Sequence, residues 1–434
     1  YEYTNDEKVF TAVKNAVNNV MINYPINASS PFSSGTSFNG GVSHGLTFTD
    51  ILERMYFYTK DEKYRDYALF LYNDFSNTYQ SEADVQLKNI LDSNYKLKSH
   101  GVHTFEHIRT LIIAKYAAQD ATLSKALDIY LDRIKQAATI SGDAIGDEWI
   151  AERNADATFT GYEYCSLQEL LDSYCLLLQK TGNSTIGDEI ENIFYNAAQG
   201  SRNPNHSCIA YLKTDNSFEM LGTKNGEVEP DRKQTRYKYS PAHQDVAVCC
   251  NPNAGRISPY FIQNSWMREG ENTLVATLLM PNILHTQING KDTQIENITT
   301  YPNQNDFILK ITQSKSSKFI IKIRIPNWAI KINTTEKNRL QDGYMVIERE
   351  FSANDSIQFS FETDVKIKSA ATGAHYFTYG ALLYALPIGA NEIAGKNYTG
   401  NFTDFTYEPT SNLRYQFNSN PKTKYTNGKT PTEL

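Results

Sequence analysis

At 434 residues the chain is long enough to bury a large core and to fold as about two to three domains. Charged residues make up 21% and hydrophobic residues 40%, an ordinary globular balance, and a formal net charge of −7 with scattered lysines excludes a basic stripe for tracking nucleic-acid phosphates. The densest apolar stretches are broken by Lys115, Gln119 and Gln179, so no run has the length of a membrane-spanning helix.

From the start to about residue 267 the apolar spacing is helical and predicts helices over 5–23, 45–59, 61–79, 103–118, 121–138, 166–181 and 185–198. Leu167, Leu170, Leu171, Tyr174, Leu177 and Leu178 mark one buried stripe, and Cys175 within that run reads as a core thiol. Short polar turns such as Thr59-Lys60-Asp61 and Thr181-Gly182-Asn183 imply helical hairpins stacked side by side, as an array or toroid. Residues 200–248 are irregular and long enough to be a functional loop, and Ala254 to Phe261 reads as a helix start. From Asn272 the pattern alternates and predicts strands over 273–278, 307–311, 319–325, 344–347 and 356–361, spaced as in an antiparallel β-sandwich. Beyond about 390 an Asn-, Thr- and Gly-rich tail is expected to be partly disordered or to fold back. The expected domains are therefore 1–267, helical and catalytic; 268–390, a sandwich; and 391–434, a tail.

The pair Cys249 and Cys250, together with Glu163-Tyr164-Cys165, supplies three sulfurs and a carboxylate, the content of a tetrahedral zinc shell. The alternative is separate thiols and a surface glutamate. Five cysteines, an odd and low count, argue against a disulfide framework. Glu163 and Cys165 would point roughly 200° apart in a helix, so a shared ion requires an irregular segment before it. His100, His103 and His107 cluster at a helix start, where they either contact sugar hydroxyls or are simply satisfied polar groups. Asp147 and Glu148 lie beside Trp149; an acid against an indole in a closed pocket is a proton donor, whereas in an open turn it is only solvated. The 29 tyrosines and 21 phenylalanines suit stacking on sugars. The serine-hydrolase elbow, phosphate-loop and dinucleotide fingerprints are absent.

Gly146-Asp147-Glu148, Tyr162-Glu163-Tyr164-Cys165 opening a helix, Thr181-Gly182-Asn183 and Cys249-Cys250-Asn251-Pro252-Asn253-Ala254-Gly255-Arg256 follow in an order that resembles glycoside hydrolase family 127, the β-L-arabinofuranosidase family. Thr300-Tyr301-Pro302, Arg324-Ile325-Pro326-Asn327-Trp328-Ala329 and Gly343-Tyr344 followed by Asp355 look like that family's sandwich landmarks, and the resemblance runs from about 43 to 390. It implies an (α/α)6-type toroid followed by β-sandwich, a zinc held by Glu163, Cys165, Cys249 and Cys250, Cys249 as nucleophile, and an acid/base at Glu148 with Asp147 as competitor. Fewer than the twelve helices of a full toroid are evident, so a shortened N-terminal part is expected. His100, His103 and Tyr211 are the expected hydroxyl contacts.

A retaining exo-glycosidase acting on an oligo- or polysaccharide is thus the leading expectation, with no nucleic-acid partner and no membrane span. A polysaccharide lyase of helical toroid and β-sandwich would leave the cysteine pair without a role, and a catalytically inactive, zinc-braced glycan-binding protein is the third class. The chain opens at Tyr1 with neither an initiator methionine nor a signal peptide, which leaves cytoplasmic, periplasmic and extracellular locations open. The sugar and the oligomeric state are not encoded in these motifs.

Overall fold

The computed structural model describes residues 1–33, 39–224, 236–242, 249–370, 372–411 and 421–426. The chain divides into two compact units, Tyr1–Ala138 with Ala144–Ala155, and Thr139–Asp143 with Asp156–Leu434. No helix among the described residues is long and apolar enough to cross a membrane.

Unit 1 contains α1 (Glu7–Asn23), α2 (Asn39–Gly45), α3 (Phe48–Thr59), α4 (Glu62–Asn77), α5 (Leu87–Leu91), α6 (Gly101–Ala118) and α7 (Ala121–Gln136). Asp6, Asp61 and Asp120 cap α1, α4 and α7 by accepting from backbone N–H groups two residues on. Lys60 and Gln119 end α3 and α6 in the left-handed conformation, which makes the hairpin turns short. Helix α6 is buried from Gly101 to Ala114, with no solvated face. It packs on α3, α4 and α7, so it is the central helix of the unit.

After α7 the chain folds back over the start of α6. Ile150 N–H donates to Ser99 O (3.0 Å) and Gly101 N–H donates to Glu148 O (2.8 Å). Gly146 makes this approach possible: at φ 145°, a Cβ there would stand 3.0 Å from the Gly101 Cα.

Unit 2 opens with β1 (Tyr162–Glu163), α8 (Tyr164–Thr181) and α9 (Ser184–Asn192), the last continuing as a π turn over Ile193–Ala198. Short strands β2 (Ile209–Ala210), β3 (Leu212–Lys213) and β4 (Tyr239–Ser240) precede α10 (Cys250–Gln263), which packs against α8. Strands follow from Trp266: β5 (Trp266–Glu269), β6 (Thr273–Ala276), β7 (Asn282–Ile288), β8 (Lys291–Ile298), β9 (Asp306–Gln313) and β10 (Ser317–Arg324). After them come β11 (Lys331–Thr334), β12 (Arg339–Gln341), β13 (Tyr344–Phe351) and β14 (Asn354–Glu362).

They form two sheets in the orders β12-β13-β10-β6-β5 and β11-β14-β9-β8-β7. All pairings are antiparallel except β6 with β10. Phe319, Ile321 and Ile347 from one sheet meet Phe307, Ile311 and Phe359 from the other in a single core, as the alternating sequence requires. The fold class read from the sequence, helices first and antiparallel sandwich second, is the one observed.

The sandwich is fastened to α9 by a buried ion cluster. Arg324 is fully buried; its Nη1 donates to Asp188 (2.5 Å), its Nη2 pairs with Glu191, and Glu191 also accepts from the Tyr301 hydroxyl (2.5 Å). Gly187 leaves the room, since a Cβ there would lie 2.5 Å from the Arg324 stem.

Beyond the sandwich, β15 (Lys366–Ser369), β16 (His375–Tyr379) and β17 (Leu382–Tyr384) form a three-stranded sheet. In the tail, β18 (Ala390–Asn397) and β19 (Thr403–Pro409) make a hairpin that pairs with β4 and so folds back, as one of the two expectations had it. Residues 412–420 and 427–434 of that tail lie outside the described residues.

Candidate metal centre

Four of the residues singled out in the sequence converge in unit 2. One ligand atom from each of Glu163, Cys165, Cys249 and Cys250 lies within 4.8 Å of the other three. The local fold explains how Glu163 and Cys165 reach one point. Glu163 is extended (φ −108°, ψ 139°) at the N-cap of α8, and Cys165 is already in the first turn. The expected irregular segment is thus a strand-to-helix switch, which cancels the angular separation of a continuous helix. Strand β1 pairs with β3, and Tyr164 N–H donates to Tyr211 O (3.1 Å), which carries the Tyr211 side chain to the same place. From the other side, Cys249 is the N-cap and Cys250 the first residue of α10. Both cysteine-bearing segments are helix N-termini, where the backbone dipole favours thiolate over thiol.

Cys165 Sγ and Cys250 Sγ are 3.1 Å apart, and Glu163 Oε1 lies 3.6 Å from Cys250 Sγ and 3.9 Å from Cys249 Sγ. A tetrahedral zinc with bonds of about 2.3 Å to sulfur sets its ligands roughly 3.8 Å apart, so the donor set fits zinc in kind and nearly in size. The sulfurs are well beyond disulfide length, and none of the five cysteines is in a disulfide. Asn253 Nδ2 donates to Cys165 Sγ (3.0 Å), and the Tyr211 hydroxyl lies 3.8 Å from Cys249 Sγ.

Hydrogen bonds from Cys165 and Cys250 outweigh burial and, with Tyr211, bring the Cys249 thiol down to about 2. The bond to Cys249 pushes Cys165 up, and burial pushes Cys250 up. Among the three, Cys249 is the exposed sulfur and the other two are buried.

The remaining expected residues lie in unit 1. Glu148 has φ 80°, a left-handed backbone that a non-glycine residue adopts only when its surroundings impose it. His100 Nε2 lies 3.2 Å from its Oε2. Its competitor Asp147 is ion-paired with Arg153. His100 and His103 are neighbours, with ring centroids 4.9 Å apart.

Around His103 the structure gathers residues that the sequence did not mark. His103 Nδ1 is 2.5 Å from Glu82, His103 Nε2 is 3.1 Å from His44 Nε2, and His44 Nδ1 is 3.1 Å from Glu106. Burial raises the Glu82 carboxyl, but the hydrogen bond and charge of His103 outweigh it and hold the group below its ordinary value. Burial holds His107 below the usual histidine range, and its Nε2 bonds Ser43 O at 2.9 Å. His44 sits in a glycine-rich stretch with no periodic signal, and Glu82 stands alone, so nothing local announced either.

Residues 273–363, which run from β6 to just past β14, match the family model described as "Beta-L-arabinofuranosidase, GH127 middle domain". No curated protein matches the chain. Among solved structures it is similar to a GH127 β-L-arabinofuranosidase from Geobacillus stearothermophilus T6, with 15% identity, TM-score 0.62, and coverage of 87% of this chain and 67% of that one. It is also similar to a GH127 β-arabinofuranosidase, with 15% identity, TM-score 0.65 and coverage of 90% and 69%. A third, described as a glycoside hydrolase, has 14% identity, TM-score 0.69 and coverage of 97% and 76%. Residues 273–363 therefore match the family 127 middle domain, and the chain shares the fold of these solved glycoside hydrolases.

Proposed function

We propose that the chain is a retaining exo-glycosidase of the β-L-arabinofuranosidase type, with Cys249 as nucleophile, Glu148 as acid/base, and Glu163, Cys165, Cys249 and Cys250 as the ligands of a zinc ion. The observation that carries this reading is the asymmetry of the sulfurs: all three meet at one point, yet only Cys249 is exposed to an incoming sugar. Zinc, when bound, would keep the sulfur deprotonated at neutral pH and make it a tolerable leaving group.

The Cys249 thiolate attacks the anomeric carbon while Glu148 gives its proton to the departing glycosidic oxygen. The Glu148 carboxylate then takes a proton from water, whose oxygen attacks the same carbon and expels the thiolate. Two inversions give retention, with sulfur in place of the second carboxylate of an ordinary retaining enzyme. The Tyr211 hydroxyl, beside Cys249, steadies the sulfur, and His100 orients Glu148. His100, His103 and Tyr211 remain the proposed hydroxyl contacts, and residues 1–267 the proposed catalytic region.

Hydrolysis of a β-L-arabinofuranosyl aryl glycoside tests the reading. Cys249→Ser should lower turnover by at least about a thousandfold. Glu148→Gln should lower it by roughly a hundred- to ten-thousandfold, with the larger loss on substrates that have poor leaving groups. Undiminished turnover by Cys249→Ser would remove the nucleophile assignment. A wild-type protein that binds zinc but hydrolyses nothing would favour the zinc-braced binding protein.

A further inference from the structure

A cavity in unit 2, of about 530 Å3, shares no residue with the cysteine site. It lies where three segments end together: Asn303 to Asn305 lead into β9, Asp364 follows β14, and Tyr379 closes β16. The Tyr425 ring lies on Tyr379 with centroids 3.7 Å apart and planes within 5°, and its hydroxyl donates to Asn303 O (3.0 Å).

The lining is largely polar; Glu362 is held by Lys331 and Asn333, and other polar side chains are unused. Asn305 is only 8% exposed, yet its Oδ1 has no hydrogen-bond partner among the described residues. A buried amide oxygen is ordinarily bonded, so this one is an exception in the wall of the groove, although it is itself too enclosed to meet a ligand. The side chains of Asn303, Asp306 and Asp364 and the Tyr379 hydroxyl also make no hydrogen bond to a described residue. Among the described residues Asp306 and Asp364 form no cluster with a third His, Cys, Asp or Glu, and the volume falls in the range of about 300–1,000 Å3 typical of organic ligands. Amides and carboxylates beside an aromatic pair match the alternating hydroxyls and C–H faces of a sugar.

We infer that this groove is a second, non-catalytic site for neutral oligosaccharides, which holds a glycan on the sandwich while another part is processed. It rests on the glycosidase reading only for the choice of ligand.

Calorimetric titration of Cys249→Ser protein with short neutral arabino-, xylo- and galacto-oligosaccharides tests it. At least one should bind saturably. Adding Tyr379→Ala or Asp364→Ala should weaken that binding by about tenfold. In the otherwise unaltered protein, the same changes should leave aryl arabinofuranoside turnover unchanged. Asp364 is exposed, so its substitution leaves the fold intact, and an unchanged thermal midpoint checks this. Binding of no oligosaccharide, affinities unmoved by both substitutions, or calcium binding lost in Asp364→Ala would each overturn the inference. Sugar binding lost in Tyr379→Ala, in a protein whose unaltered form hydrolyses nothing, would uphold this site and remove the glycosidase.

Discussion

Around Arg324 each charged group of the cluster has a protein partner: one guanidinium meets Asp188 and Glu191, and Tyr301 donates to Glu191, whose carboxyl is raised by burial. Around Cys250 the described contacts of the sulfurs are one another, Glu163, the Asn253 amide and the Tyr211 hydroxyl. Arg324 and Glu191 are buried in the first cluster, whereas the second opens to solvent at Cys249. The first serves to join α9 to the sandwich. The second gathers three sulfurs and a carboxylate, the donor set of a zinc ion, which is why one cluster reads as structure and the other as a candidate site of chemistry.

Removing a cysteine ligand probes that difference hardest. Cys250→Ala should release zinc by more than the roughly 10–100-fold that loss of an outer-shell partner costs, and hydrolysis should fall to background. Metal content by mass spectrometry and turnover check this; a variant that keeps stoichiometric zinc would break the ligand assignment.

Next in size is Arg324→Ala, which leaves the buried Glu191 and the half-buried Asp188 uncompensated and should cost about 3–5 kcal/mol in urea unfolding. The triple variant Asp188→Asn, Glu191→Gln, Arg324→Met should cost less than the single one. The reverse order would show that the cluster does not balance itself.

The smallest effect belongs to the exposed end of the sandwich. The hydrogen bond from Arg349 brings the Asp355 carboxyl down from 3.8 to about 2. A depressed folded-state value means stability that is complete above the unfolded value and is lost as pH falls from about 3.8 to about 2. Arg349→Met should abolish that pH-dependent part, by under about 1 kcal/mol, seen as a flatter acid limb in thermal melts.

Much of this was legible because it is periodic. The stripe from Leu167 to Leu178 predicted α8 to within two residues, and the alternation of Phe307 to Ile311 predicted β9. Helix α10 was read only from Ala254, although it starts at Cys250, because Asn251-Pro252-Asn253 has poor intrinsic helix propensity that packing against α8 overrides. Strand β7 was missed because its inward face, Asn282, Leu284, Thr286 and Ile288, mixes polar and apolar residues while Ile283 faces solvent. The cysteine site was visible through chemical rarity. The partners of His103 were not, since His44, Glu82 and Glu106 become neighbours only when separate helices and loops pack.

Gly187 carries a consequence for how this sequence can drift. Any side chain there enters the space of the Arg324 stem, so a substitution at 187 displaces the arginine from both acids at once. Neither position can be exchanged alone without loss. Relatives that bear a side chain at the equivalent of 187 are expected to have given up the arginine and both carboxylates together, and the two states should be separated by a fitness valley rather than a gradual path.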